Sequence, residues 1–142
     1  MPLSAGSGLA MKNEQNDESL EIELEVDPSF SPPLKITANK GVIAYQGNLE
    51  QENYIIGPND SGKITISPSD FNDLLEDIKL SRIPAFPEFS MGLDGTTYTI
   101  SIKNGFNSVT YSWWEECPPE WEKLGKLADK LIDYVERDIV KL

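Results

Sequence analysis

Asn104-Gly105 stands at the centre of a segment, Thr96 to Trp113, in which apolar and hydroxyl residues alternate on both sides of the dipeptide. Asn-Gly between alternating strands is the strongest short signal for a two-residue β-turn, because its residues adopt positive φ at little cost. Pairing Lys103 with Phe106 places Ile100 opposite Val109 and Tyr98 opposite Tyr111 on one face. Thr97, Thr99, Ser101, Ser108, Thr110 and Ser112 then share the other face. Both strands agree on which face is buried, as the two-residue period demands. Trp113 joins the apolar face and Trp114 the hydroxyl face.

A second alternation runs from Leu20 to Val26, where Leu20, Ile22, Leu24 and Val26 interleave with Glu21, Glu23 and Glu25. This is a strand with one buried face and one face carrying a row of carboxylates. Asp27-Pro28 and Pro32-Pro33 mark a loop. Leu34 to Ala38 and Val42 to Gln46 form a hairpin across the link Asn39-Lys40-Gly41. Asn53 to Ile56 and Lys63 to Ser67 form another, around the turn-forming run Pro58 to Gly62.

Helical spacing appears twice. Ser67-Pro68-Ser69-Asp70 opens a helix with a hydroxyl cap, a proline at the first helical position and an acid at the positive end. Phe71, Leu74, Leu75 and Ile78 give it one apolar face. Pro118-Pro119 opens a longer one, with Trp121, Leu124, Leu127, Ala128, Leu131, Ile132, Val135 and Ile139 as its stripe. Between them, residues 81–95 form a long loop with Pro84, Phe86, Pro87, Phe89 and Met91, which packs over the core or exposes a patch. The expected fold is α+β. It is a mainly antiparallel sheet of about six to seven strands in hairpins, with one mid-chain helix and one long C-terminal amphipathic helix packed on it. The 142 residues fit one domain over residues 20–142. Residues 1–19 read as a flexible tail, with 1–10 as an appended tag and Met11-Lys12-Asn13 as a native start.

The chain contains no histidine, which removes histidine-dependent triads, histidine general bases and histidine metal sites. There is no P-loop and no glycine-rich dinucleotide turn. Asn59 to Thr65 resembles the middle of a calcium loop, but aligning Gly62 with the required glycine puts Gly57 and Pro68 where the two strongest ligands belong. Neither a cofactor nor a metal is expected. Cys117 is the single cysteine and lies beside Glu115 and Glu116, which disfavour a thiolate. The absence of a disulfide, of a membrane-length apolar run and of a signal-type start points to a soluble, cytoplasmic protein.

Net charge is −12, from 24 acids and 12 bases, and most of the excess falls before residue 81. Such a field repels nucleic acid and anionic membranes and speeds encounter with basic partners. The residues expected to meet a basic protein are Glu21, Glu23, Glu25, Asp70, Asp73 and Asp77, with Trp114 as an anchor. Two rival readings follow from other residues. One is an accessory domain that holds a peptide or subunit through the apolar loop 81–95. The other is a small hydrolase using Asp94, Glu115, Glu116 or Glu120 beside the tryptophans.

The segment Asp94 to Ile102, Trp113-Trp114 and the helix from Pro118 to Tyr134 resemble a recurring tail of uncharacterised small bacterial proteins, covering about a third of the chain. In size, acidity and lack of catalytic groups the whole chain is also similar to immunity proteins, which neutralise basic toxin domains in bacterial competition. That resemblance implies a non-enzymatic inhibitor masking a toxin domain, and it carries over no site residues.

Overall fold

The computed structural model describes residues 20–29, 33–47, 49–51, 54–56, 61–79, 82–87, 92 and 94–140. Strands β1 (Leu20–Pro28), β2 (Leu34–Asn39), β3 (Val42–Gly47) and β6 (Ser61–Thr65) join β7 (Thr96–Asn104) and β8 (Asn107–Trp114) in one antiparallel sheet of order β6-β3-β2-β1-β7-β8. Short strands β4 (Leu49–Gln51) and β5 (Tyr54–Ile56) pair separately. Helix α1 (Pro68–Lys79) follows β6, and a 3-10 turn (Pro119–Trp121) leads into α2 (Glu122–Val140). The architecture is the expected α+β sheet with two helices, the last of them long.

Alternation decides which face meets the helices. Ile22 and Leu24 of β1 stand opposite Ala38 and Ile36 of β2 on one side, and opposite Ile102 and Ile100 of β7 on the other. Ile22, Leu24, Ile36, Ala38, Ile43 and Ile100 are fully buried, in one cluster with Phe71, Leu74 and Leu75 of α1 and Leu124, Leu127, Leu131 and Val135 of α2. Both helices therefore cover the same face. The cap of α1 follows the sequence: Ser67 Oγ accepts a bond from the Asp70 amide at 3.1 Å. At its far end α2 reaches β3, where Tyr45 donates its hydroxyl to Asp138 Oδ2 at 2.8 Å.

Four local expectations are corrected. The hairpin turns on Gly105-Phe106 rather than Asn104-Gly105, so Asn104 faces Asn107, Ile102 faces Val109 and Ile100 faces Tyr111. Only Gly105 of the turn has positive φ, at 63°, as in a turn with glycine at its first central position. The displacement is an even number of residues, so every side chain keeps the face assigned to it. Tyr54–Ile56 does not pair with Lys63 to Ser67, since it pairs with β4 and β6 pairs with β3, while Asn53 lies outside the described residues. The reason is burial: beside β3, Ile64 packs against the main core and the following Ile66 is buried, which a local hairpin would not give. The link between β2 and β3 is two residues, as Asn39 pairs with Val42. Finally, Asp27 and Pro28 continue β1 and pair with Thr97 and Thr96 instead of starting a loop.

The described part of the loop after α1 packs on the core at one point and exposes one phenyl ring. Ile83 packs on the core and the Pro84 carbonyl accepts the Trp121 indole N–H at 2.6 Å, while Phe86 is 92% exposed. Phe89 and Met91 lie outside the described residues.

Candidate functional site

The face of the sheet turned away from both helices is polar and is the candidate surface. Glu21, Glu23 and Glu25 occupy its central strand, as alternation requires, and all three are half-buried. Their neighbours across β2 are Asn39, Thr37 and Lys35, and across β7 they are Lys103, Ser101 and Thr99. Lys35 Nζ lies 3.8 Å from Glu23 Oε1, a contact between partly exposed groups that contributes little net stability and can be exchanged for another cation.

Towards β8 the face is lined with hydroxyls. Thr99 and Ser112 are hydrogen-bonded at 2.9 Å, and Ser101 and Thr110 at 3.0 Å. Towards β6, a concavity of about 330 Å³ is lined by Lys35, Thr37, Ala44, Gln46, Ser61 and Lys63 among others. The carboxylate row thus has a lysine and hydroxyls on each flank, with the hydroxyls denser towards β8.

The remaining predicted acids do not join this row. Asp70 and Asp73 belong to α1, whose apolar side lies on the opposite face of the sheet. Both raise the pKa of Tyr134 on α2, after the larger effect of burial and together with Asp133, while Arg137 opposes them. The Asp73 carbonyl accepts a long bond from Lys130 at 3.5 Å. Asp77's side chain lies outside the described residues. The sequence's single acidic set is therefore two surfaces separated by the sheet.

Trp114 falls on the hydroxyl face, as expected, but is half-buried. A methyl group on Gly92 would overlap the six-membered ring of Trp114, so the loop before β7 lies against the indole. Beside it, Ser29 and Glu115 hold the Asp94-Gly95-Thr96 bend. The Ser29 hydroxyl donates to the Gly95 carbonyl at 2.8 Å and accepts the Gly95 N–H at 3.1 Å, while the Ser29 N–H donates to that carbonyl at 2.9 Å. Glu115 accepts the Thr96 N–H at 2.9 Å and returns its own N–H to the Thr96 carbonyl at 2.8 Å. Glu115 sits at φ 60°, a conformation that non-glycine residues adopt only where neighbours hold it. The sequence carried no signal for this clamp, because it depends on contacts between residues 66 positions apart.

Of the acids placed near tryptophans, Glu115 is engaged in that clamp, and Asp94, Glu116 and Glu120 are exposed. Trp113 and Trp121 are core residues, stacked edge-to-face with ring centroids 6.3 Å apart. Among the described residues no group of three or more Cys, Asp or Glu side chains is placed to hold a metal ion. None of the described helices is long and apolar enough to cross a membrane.

Cys117 is half-buried and donates its thiol to the Trp121 carbonyl at 3.1 Å. Burial pushes the thiol pKa up; a hydrogen bond from the Gly125 backbone acts against this, and Asp129 adds to the rise. Burial also raises Tyr98, with Glu115 and Asp129 acting in the same direction. The unfolded chain therefore loses protons at lower pH than the folded one, and stability falls as pH rises from the free thiol value near ~8.5 through the free phenol value near ~10. We expect the urea midpoint to decline across this range, and Cys117→Ala to flatten the first part of the decline. An unchanged slope in that variant would place the titration elsewhere.

No family model and no curated protein matches this chain.

Proposed function

We propose that the chain is a non-enzymatic binding domain that masks a basic protein partner, and that the open face of the sheet is where it does so. The observation that supports this reading is the row Glu21, Glu23 and Glu25 on a face turned away from both helices. A row of carboxylates on a rigid central strand is preorganised, so a partner's lysines and arginines meet it without ordering a loop. The surrounding field, from a net charge of −12, accelerates encounter. An immunity or antitoxin role towards a basic toxin domain, in a bacterial cytoplasm, is the concrete form of the proposal.

The test compares two charge reversals. Glu21→Lys/Glu23→Lys/Glu25→Lys changes the sheet face, and Asp70→Lys/Asp73→Lys changes the helical side by a smaller charge. A basic protein captured by the wild type from host lysate would then be purified, and its association rate measured over a range of salt. The sheet variant is expected to slow association about tenfold or more at low salt and to flatten the salt dependence, while the helix variant has a smaller effect. Equal rates for the sheet variant and the wild type would remove the face from the account.

Phe86 supports a second reading, since a phenyl ring exposed on a proline-rich loop is a ready contact for a peptide or subunit. In the same experiment, binding that survives high salt and charge reversal but is lost in Phe86→Ala would assign recognition to that loop.

A further inference from the structure

The two edges of the main sheet differ in a way that bears on assembly. At one edge, β6 is five residues long and carries Lys63. Short length and an edge lysine are both devices that discourage pairing with another chain. At the other edge, β8 runs for eight residues, Asn107-Ser-Val-Thr-Tyr-Ser-Trp-Trp, with no charge and no proline. In a chain of net charge −12, this neutral strip lacks the usual protection.

Its hydrogen-bonding direction is set by its contact with β7. Glu115, just past β8, donates its N–H to the Thr96 carbonyl at 2.8 Å. In an antiparallel pair the bonded residues alternate. Residues 109, 111 and 113 therefore bond to β7, and Ser108, Thr110 and Ser112 turn their N–H and C=O groups outward, where, among the described residues, the sheet has no further strand.

We propose that β8 pairs antiparallel with β8 of a second copy of this chain, about a two-fold axis at Thr110. In that register the two Thr110 residues face each other, Ser108 faces the second copy's Ser112, and about six backbone hydrogen bonds form. On the helix-covered face, Val109, which is 42% exposed, meets the second copy's Tyr111. That contact closes over the rim of an apolar concavity of about 320 Å³ lined by Leu20, Leu75, Ile78, Ile102 and Val109, among others. On the outer face, Ser108, Thr110 and Ser112 extend the hydroxyl pairs already made with β7. Apolar residues thus meet apolar residues, and hydroxyls meet hydroxyls. A basic partner gains no charge contact from this strip, whereas a second copy suffers no repulsion along it. Such a contact is isologous and closes as a dimer. One strand pair buries less than the roughly 1,200–2,000 Å² of a standard interface, so the dimer is reversible.

This inference is independent of the carboxylate face, which lies two strands away on β1. It is tested on the full chain by sedimentation over a wide concentration range, comparing wild type with Thr110→Lys, which sets two like charges against each other at the axis. The wild type is expected to dimerise as concentration rises, and the variant to dimerise at least tenfold more weakly, with its thermal unfolding unchanged at a dilution where both are monomeric. Register is tested separately by cysteines in a Cys117→Ser background under mild oxidation. Thr110→Cys is expected to form a covalent dimer and Ser108→Cys is not, because Ser108 faces Ser112. A monomer at every concentration, a dimer indifferent to Thr110→Lys, or equal cross-linking at both positions would overturn the proposal.

Discussion

Trp121→Ala is expected to destabilise the protein by roughly 3–5 kcal/mol, the range for deleting a large buried aromatic, and to lower the thermal midpoint by about 10 °C or more. Trp121 is 5% exposed and sits where three parts of the molecule converge. Its ring meets Tyr111 edge-on with centroids 5.2 Å apart and Trp113 at 6.3 Å, so it joins α2 to the last strand of the sheet. Its indole N–H reaches the Pro84 carbonyl at 2.6 Å, which ties the loop after α1 to the same point. Truncation therefore opens a cavity and frees the loop together. Trp121→Phe separates the two effects. It keeps most of the ring but leaves Pro84 without its donor, and is expected to lose only about 1–3 kcal/mol. Urea unfolding of both variants checks this ordering. A loss in Trp121→Ala no larger than in Trp121→Phe would mean that packing at this junction contributes little.

Gly47→Ala is the second large effect. Gly47 ends β3 at φ +125°, and a Cβ there would overlap the Pro33 carbonyl oxygen and stand 3.0 Å from Leu34 Cα. Both obstacles are backbone, so no side chain can rotate to make room. Steric overlap of about 1–3 kcal/mol adds to conformational strain of about 1–3 kcal/mol, and the variant is expected to lose roughly 3 kcal/mol or more. Gly41 supplies an internal control. It has a similar φ of +110°, but a Cβ there would meet nothing within 4 Å. Gly41→Ala should therefore show the strain alone. The difference between the two denaturation midpoints measures the close approach of β3 to the chain entering β2. Equal losses would show that φ accounts for the whole effect.

Elements with strong local periodicity are legible in the sequence. The Leu20 to Val26 alternation, the Ser67 cap of α1 and the apolar stripe of α2 all appear where their spacing places them, because each depends on residues close in the chain. The hairpin at β7 and β8 was legible by face but not by pair. Its register shifts by an even number of residues, and the two-residue period is blind to such a shift. Pairing of β6 was not legible at all. The turn residues from Pro58 to Gly62 advertise a local hairpin, and the gain from burying Ile64 and Ile66 beside distant residues outweighs it.

The candidate surface divides along the same line. Alternation alone put Glu21, Glu23 and Glu25 together on a solvated face and put Trp114 on the hydroxyl side of its hairpin. Only the tertiary structure decided that Asp70 and Asp73 lie across the sheet from that row, that Gly92 lies against Trp114, and that β8 rather than β6 is the long neutral edge. Side-chain direction within an element follows from backbone geometry a few residues long. Which elements become neighbours depends on how their apolar faces are jointly removed from water, a property of the whole chain.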